Sequence, residues 1–187
     1  MPLGGNVIYT FHFYEPYVFS PQGPPWMSGE PMYCYLNAVP WPSSGGSRRE
    51  TLAAAAARMA ADHATPDSEK RAIMTTIERV LTQYFDARPD RRFIEKHFRA
   101  SYRMGGAARD RPQPHPARRV RRAAQPTSAM RRRLPPIARY IRDVRETCEA
   151  AGMPRAFWNL FDGMGLMTND ASRQFDPAIL AALGLRT

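Results

Sequence analysis

His12 and Tyr14, near the start of this sequence, are side chains with a capacity for chemistry at a ligand. They lie in NVIYTFHFYEP, residues 6–16, a stretch of β-branched and aromatic types that carries an imidazole and a phenol near its end. Bounded by Gly4-Gly5 and Pro16, it reads as a continuous, buried strand of a parallel sheet over Asn6–Tyr14. A histidine on such a strand is either a satisfied core side chain or a site residue, and the residues alone leave both readings open. Glu15 follows directly, but beside Pro16 it is expected to face loop or solvent. Farther on, Trp158 sits in the apolar run RAFWNL, followed by Asp162, Asp170 and Asp176. Asp176, ahead of Pro177, reads as a helix cap. His63, His97 and His115 show no ligand spacing, so no metal site and no cofactor is expected. Cys34 and Cys148 are far apart and read as unpaired, buried thiols.

The elements that must position these groups follow an interrupted α/β pattern. After the first strand, residues 15–46 form a long Pro/Gly/aromatic loop with Tyr17, Phe19, Trp26, Tyr33, Tyr35 and Trp41. So many aromatics exceed what a solvated linker carries, and loops of this length are more often functional than decorative. Ser47-Arg48-Arg49-Glu50 is a capping box ahead of an Ala-rich helix. Thr65-Pro66 reads as a second N-cap with Pro at the first helical position. The helix that follows carries Ile73, Ile77, Val80, Leu81 and Tyr84 on one face. A shorter helix over residues 90–100 carries Phe93, Ile94, His97 and Phe98. Beyond an irregular gap, Ile137, Ile141, Val144 and Cys148 form a helical stripe ended by Gly152. Arg155–Leu160 reads as a strand, FDGMGLMTNDASRQF as a loop, and AILAALGL as a last helix.

The gap carries the charge. The chain has a formal charge of +10, yet residues 99–133 hold eleven arginines against the single acid Asp110, so the remainder is close to neutral. With several prolines and almost no large aliphatics, this segment cannot bury enough surface to offset its ordering entropy. Spread arginines would give salt-dependent, nonspecific contact with nucleic acid or an anionic surface. Few aromatics are interleaved, so base stacking is not implied and no specific nucleic-acid partner is expected.

Two stretches carry a family resemblance. NVIYTFHFYEPYVFSPQG resembles the sixth barrel strand and following loop of glycoside hydrolase family five, the cellulase and endoglucanase family. RYIRDVRETCEAAGMPRAFWNLFDGMGLMTNDASRQFDPAILAALGL is similar to its seventh helix, eighth strand and eighth helix. Together they cover roughly a third of the chain closely and agree in order and spacing. The resemblance implies a (β/α)₈ barrel with its site on the C-terminal face of the strands. It also implies retaining hydrolysis of O-glycosidic bonds in a β-glucan-like polysaccharide by two carboxyl groups. Carried over by residue, His12-Phe13-Tyr14 match the His-x-Tyr of strand six: His12 would bond the substrate and Tyr14 would orient the nucleophile. Trp158 matches the strand-eight Trp and would stack on a sugar ring.

The carry-over is incomplete. The strand that bears the family's acid/base Glu has no counterpart here. The G-E-F-G setting of the nucleophile does not occur between Phe98 and Ile137, where there is no Glu at all. No catalytic residue is therefore assigned, and the chain is expected to be weakly active or inactive. A non-catalytic glycan-binding remnant using Trp158 and the loop aromatics is an alternative, and an Arg-mediated binder of nucleic acid another. The expected fold is α/β, a barrel fragment from strand six to helix eight. Residues 1–100 would carry strand six and its helices, and 137–187 helix seven to helix eight. Residues 101–136 would be a disordered Arg/Pro-rich segment in place of strand seven. A compensated pair of frameshifts in a GC-rich gene gives such text, as does a natural basic insertion; 25 arginines against two lysines fit the base composition. Open strand edges make self-association the expectation. There is neither a signal peptide nor a membrane span to be read, although the family is often secreted.

Overall fold

The computed structural model describes residues 11–23, 29–105, 120–121, 134–157, 167–169 and 171–185. Helices dominate. Helix α1 (Met32–Tyr35) is a single turn within the aromatic loop, α2 spans Arg48–Ala60, α3 Asp67–Ala87 and α4 Arg91–Gly105. A two-residue strand β1 (Val120–Arg121) precedes α5 (Leu134–Ala150) and β2 (Arg155–Ala156). A hairpin of β3 (Met167–Asn169) and β4 (Gln174–Phe175) leads to α6 (Pro177–Ala182). Helix α2 packs on α3, α4 on α5, and α5 on α6.

The local signals act where they stand. Ser47 Oγ accepts from the Glu50 N–H at 3.2 Å, and the Glu50 carboxylate accepts from the Ser47 N–H at 3.0 Å, which completes the capping box. Ile73, Ile77, Leu81 and Tyr84 are buried on α3, with Val80 half-buried beside them. Ile137, Ile141, Val144 and Cys148 are buried on α5. That helix stops as its glycine requires. Gly152 has φ +61°, its N–H bonds the Glu149 carbonyl, and the Met153 N–H bonds that of Cys148. This is a Schellman closure, and a side chain at Gly152 would be strained. Buried Asp176 caps α6, accepting from Ala178 and Ile179 N–H at 2.9 and 3.2 Å. At the far end of α6, Arg145 and Arg155 donate to the Ala182 and Leu183 carbonyls, where cations suit the helix dipole.

Four expectations need correction. Within the predicted first strand, Phe11–Tyr14 belong to no ladder; residues 6–10 lie outside the described residues. The reason is their neighbourhood. Phe11 and Phe13 pack edge-on against Phe98 of α4, with centroids 5.6 and 4.8 Å away, so the segment lies on a helix. Second, the Arg/Pro segment is not wholly irregular. Helix α4 enters it as far as Gly105, and β1 pairs in parallel with β2, Val120 opposite Arg155. Val120 is the only β-branched aliphatic between Ser101 and Arg133, and strand suits that side chain. A helix between two parallel strands is the connection such pairing demands. Third, the predicted loop after RAFWNL contains the antiparallel hairpin β3–β4. Its turn is stabilised by Asn169 Oδ1 accepting from the Ser172 N–H at 3.0 Å. Fourth, Pro66, not Thr65, is the N-cap of α3, and no side chain caps it.

Thr65 is engaged elsewhere. Its hydroxyl donates to Asp62 at 2.6 Å, and the Tyr35 hydroxyl and the Ala64 N–H donate to the same carboxylate. These bonds, that of Thr65 foremost, hold the Asp62 carboxyl well below the usual carboxylate range. A depressed folded-state pKa contributes stability that is fully present above the unfolded value of about 4 and is lost as pH falls toward the folded one. Tyr35→Phe removes one of these donors. Urea midpoints measured between about pH 5 and pH 2 should fall less steeply for this variant than for the parent. Equal slopes would show that the Tyr35–Asp62 hydrogen bond is not formed in solution.

The aromatic loop supplies a substantial part of the core. Phe19, Tyr33, Tyr35 and Trp41 are buried, and Phe19, Trp41 and Tyr140 of α5 form a ring cluster with centroids 5.0–5.8 Å apart. Trp41 has no exposed surface, and its Nε1 donates to Asp143 at 2.9 Å. Prolines deny this loop a regular hydrogen-bond ladder, so side chains take over that work. Gln22 donates to the Phe19 and Val39 carbonyls and accepts from the Val39 N–H at 2.7 Å. The Tyr84 hydroxyl donates to the Pro40 carbonyl. Among the described residues, no helix is long and apolar enough to cross a membrane.

Candidate functional site

The segment 11–15 is positioned by alternate side chains. Phe11 and Phe13 turn to one side, where both meet Phe98 and Phe13 also meets His97 at 6.4 Å. At its end the Tyr140 hydroxyl donates to the Glu15 carbonyl at 2.8 Å, and the Ser20 hydroxyl donates to the Tyr14 carbonyl. The segment is thereby pinned to α4 and α5 without a partner strand.

That alternation puts His12 and Tyr14 together on the other side. His12 Nδ1 and the Tyr14 hydroxyl are hydrogen-bonded at 3.1 Å, their rings 5.9 Å apart. His12 is exposed and Tyr14 half-buried, so the pair meets solvent. With Nδ1 engaged, Nε2 has no partner among the described residues. Such an edge can exchange hydrogen bonds with a neutral hydroxyl-rich ligand.

The surroundings are acidic and aromatic. Glu15 Oε2 accepts from the Tyr17 N–H at 3.0 Å, which places this carboxylate in the turn, as expected from Pro16. Burial, then the neighbouring Glu30, pushes the Tyr17 phenol up. Tyr17 is 40% exposed and stands edge-on to buried Tyr33 at 5.4 Å. No carboxylate is hydrogen-bonded to His12 or to the Tyr14 hydroxyl among the described residues.

The other candidates fare differently. Trp158, Asp162, Asp170, Trp26 and His115 lie outside the described residues. Phe19, Tyr33, Tyr35 and Trp41 have their faces in the core, so as packed here they offer no stacking surface to a sugar. The aromatic loop is thus structural at these four positions, which corrects the glycan-holding role considered for them. Nothing in their types or spacing could have told core from surface. His97 is a packing residue, its Nδ1 2.9 Å from the Phe93 carbonyl. Cys34 and Cys148 form no disulfide; Cys148 is buried, Cys34 only partly so. Burial pushes the Cys148 thiol up to about 11, which leaves it unreactive at neutral pH. No cluster of His, Cys, Asp and Glu among the described residues could hold a metal ion. No family model, curated protein or solved structure matches the chain.

Proposed function

We propose that this chain is related to retaining glycosidases of β-linked polysaccharide, and that it keeps groups for holding a glycan without a working catalytic pair. The observation that carries this reading is the His12–Tyr14 hydrogen bond at 3.1 Å, solvent-facing and anchored from behind by Phe11, Phe13 and Tyr140. An imidazole edge backed by a phenol suits sugar hydroxyls, and Trp158 is the stacking group that the family resemblance assigns. Hydrolysis is expected to be weak or absent, because residues 99–136 supply no Glu for the nucleophile's place.

Titration of the isotope-labelled chain with a cello-oligosaccharide tests the reading. Resonances of His12 and Tyr14 should shift, and His12→Ala should weaken binding about fivefold, the worth of one hydrogen bond of about 1 kcal/mol. His12 is exposed, so the variant keeps the fold. Saturating glycan without a shift at either residue would defeat the proposal.

A further inference from the structure

The solvent face of α4 carries Arg92, Lys96 and Arg99, at steps of four and three residues, which is one stripe of a helix. All three are exposed, and none has an ion-pair or hydrogen-bond partner through its side chain among the described residues. Carboxylates are near, but they are committed. Glu95 is paired with Arg91 at 3.2 Å, Arg91 also pairs with Glu146, and Asp90 accepts from the Arg92 and Phe93 N–H groups at the start of the helix. Arg92, Glu95, Lys96, Arg99 and Ala100 line an open depression of about 580 Å³. With a rise of about 1.5 Å per residue, the cations follow one another by about 6 and about 4.5 Å along the axis, over some 10 Å.

We infer that this stripe is a docking ridge for the phosphate backbone of a nucleic-acid duplex, bound without sequence preference. Charge complementarity selects a polyanion. The opposite face of α4 gives bilayer insertion no support: Ile94 and Phe98 are buried, Phe98 against Phe11 and Phe13, so no apolar face is free to enter a bilayer. The ridge itself carries no aromatic side chain, so stacking on single-stranded bases has no support. Contacts limited to phosphates fix position and carry no sequence information.

The test is the salt dependence of binding of the full chain to a short random-sequence DNA duplex, followed by fluorescence anisotropy from about 50 to 200 mM salt. The triple variant Arg92→Gln, Lys96→Gln, Arg99→Gln should flatten the plot of log K against log salt by about 2.7, at roughly 0.9 for each phosphate that is no longer neutralised. A control removes the same charge from exposed positions of α2 and α3: Arg49→Gln, Arg71→Gln, Arg79→Gln. It should change the slope by less than about 0.5. Glutamine is a good helix former at solvent positions, so both triples should retain parental helicity. Three results overturn the inference: no duplex binding by the parent at low salt, equal slope changes in the two triples, or loss by the first triple of phosphatidylserine-vesicle binding alone.

Discussion

Trp41→Ala is expected to cost about 3–5 kcal/mol, a large share of the stability of a domain that has only about 5–15 kcal/mol to lose. The indole has no exposed surface, and it fills the space between Phe19 and Tyr140 at 5.8 and 5.0 Å. Truncation therefore opens a large cavity where the loop meets α5. It also removes the donor to Asp143, which costs a further part of a charge-assisted bond. Urea denaturation of parent and variant, followed by circular dichroism, reads the difference. The variant should unfold at a markedly lower urea concentration than the parent. A loss below about 1 kcal/mol would show that the aromatic cluster is not formed. The result also separates two roles for the loop. A glycan platform at Trp41 would lose affinity on substitution and keep its stability.

Hydrolysis is expected to stay below about 10⁻² s⁻¹ on carboxymethyl cellulose and on an activated aryl β-cellobioside, at least a hundredfold under the usual range of 1–10³ s⁻¹. A retaining displacement needs one carboxylate to form the glycosyl intermediate and a second to protonate the leaving oxygen. The sequence places no Glu between Phe98 and Ile137, and Glu15 is turned into the loop by its bond to the Tyr17 N–H. In the proposed reading His12 and Tyr14 hold and orient the glycan, but neither replaces a carboxylate at the anomeric carbon. Turnover within the ordinary range would mean that another carboxylate of this chain reaches the bond. The proposal of a glycan-holding chain without catalysis would then fall, while the duplex-binding ridge on α4 would stand untouched.

What the sequence determined by itself lies within one or two turns of chain. Ser47 and Glu50 close their capping box, Asp176 caps α6, and Gly152 ends α5 because these groups meet partners three or four residues away. The stripes Ile73-Ile77-Leu81-Tyr84 and Ile137-Ile141-Val144-Cys148 are likewise set by helical period, which fixes the buried face whatever covers it. His12 and Tyr14 were legible as a pair only through a family resemblance, and the structure adds the bond between them. Tertiary structure decided the rest. Whether Tyr17 meets solvent while Phe19 and Trp41 do not depends on where α5 lies, about a hundred residues farther along the chain. Phe11–Tyr14 lack a ladder because their neighbour is the helix α4, although their side chains suit a strand. Arg155 pairs opposite Val120 across the whole of α5, a match that no local window contains. Arg92, Lys96 and Arg99 of α4 have no ion-pair partner among the described residues for the same reason, since Glu95 is held by Arg91, which also reaches Glu146 on another helix. Period and capping are local free energies, whereas burial and pairing belong to groups that only the folded chain brings together.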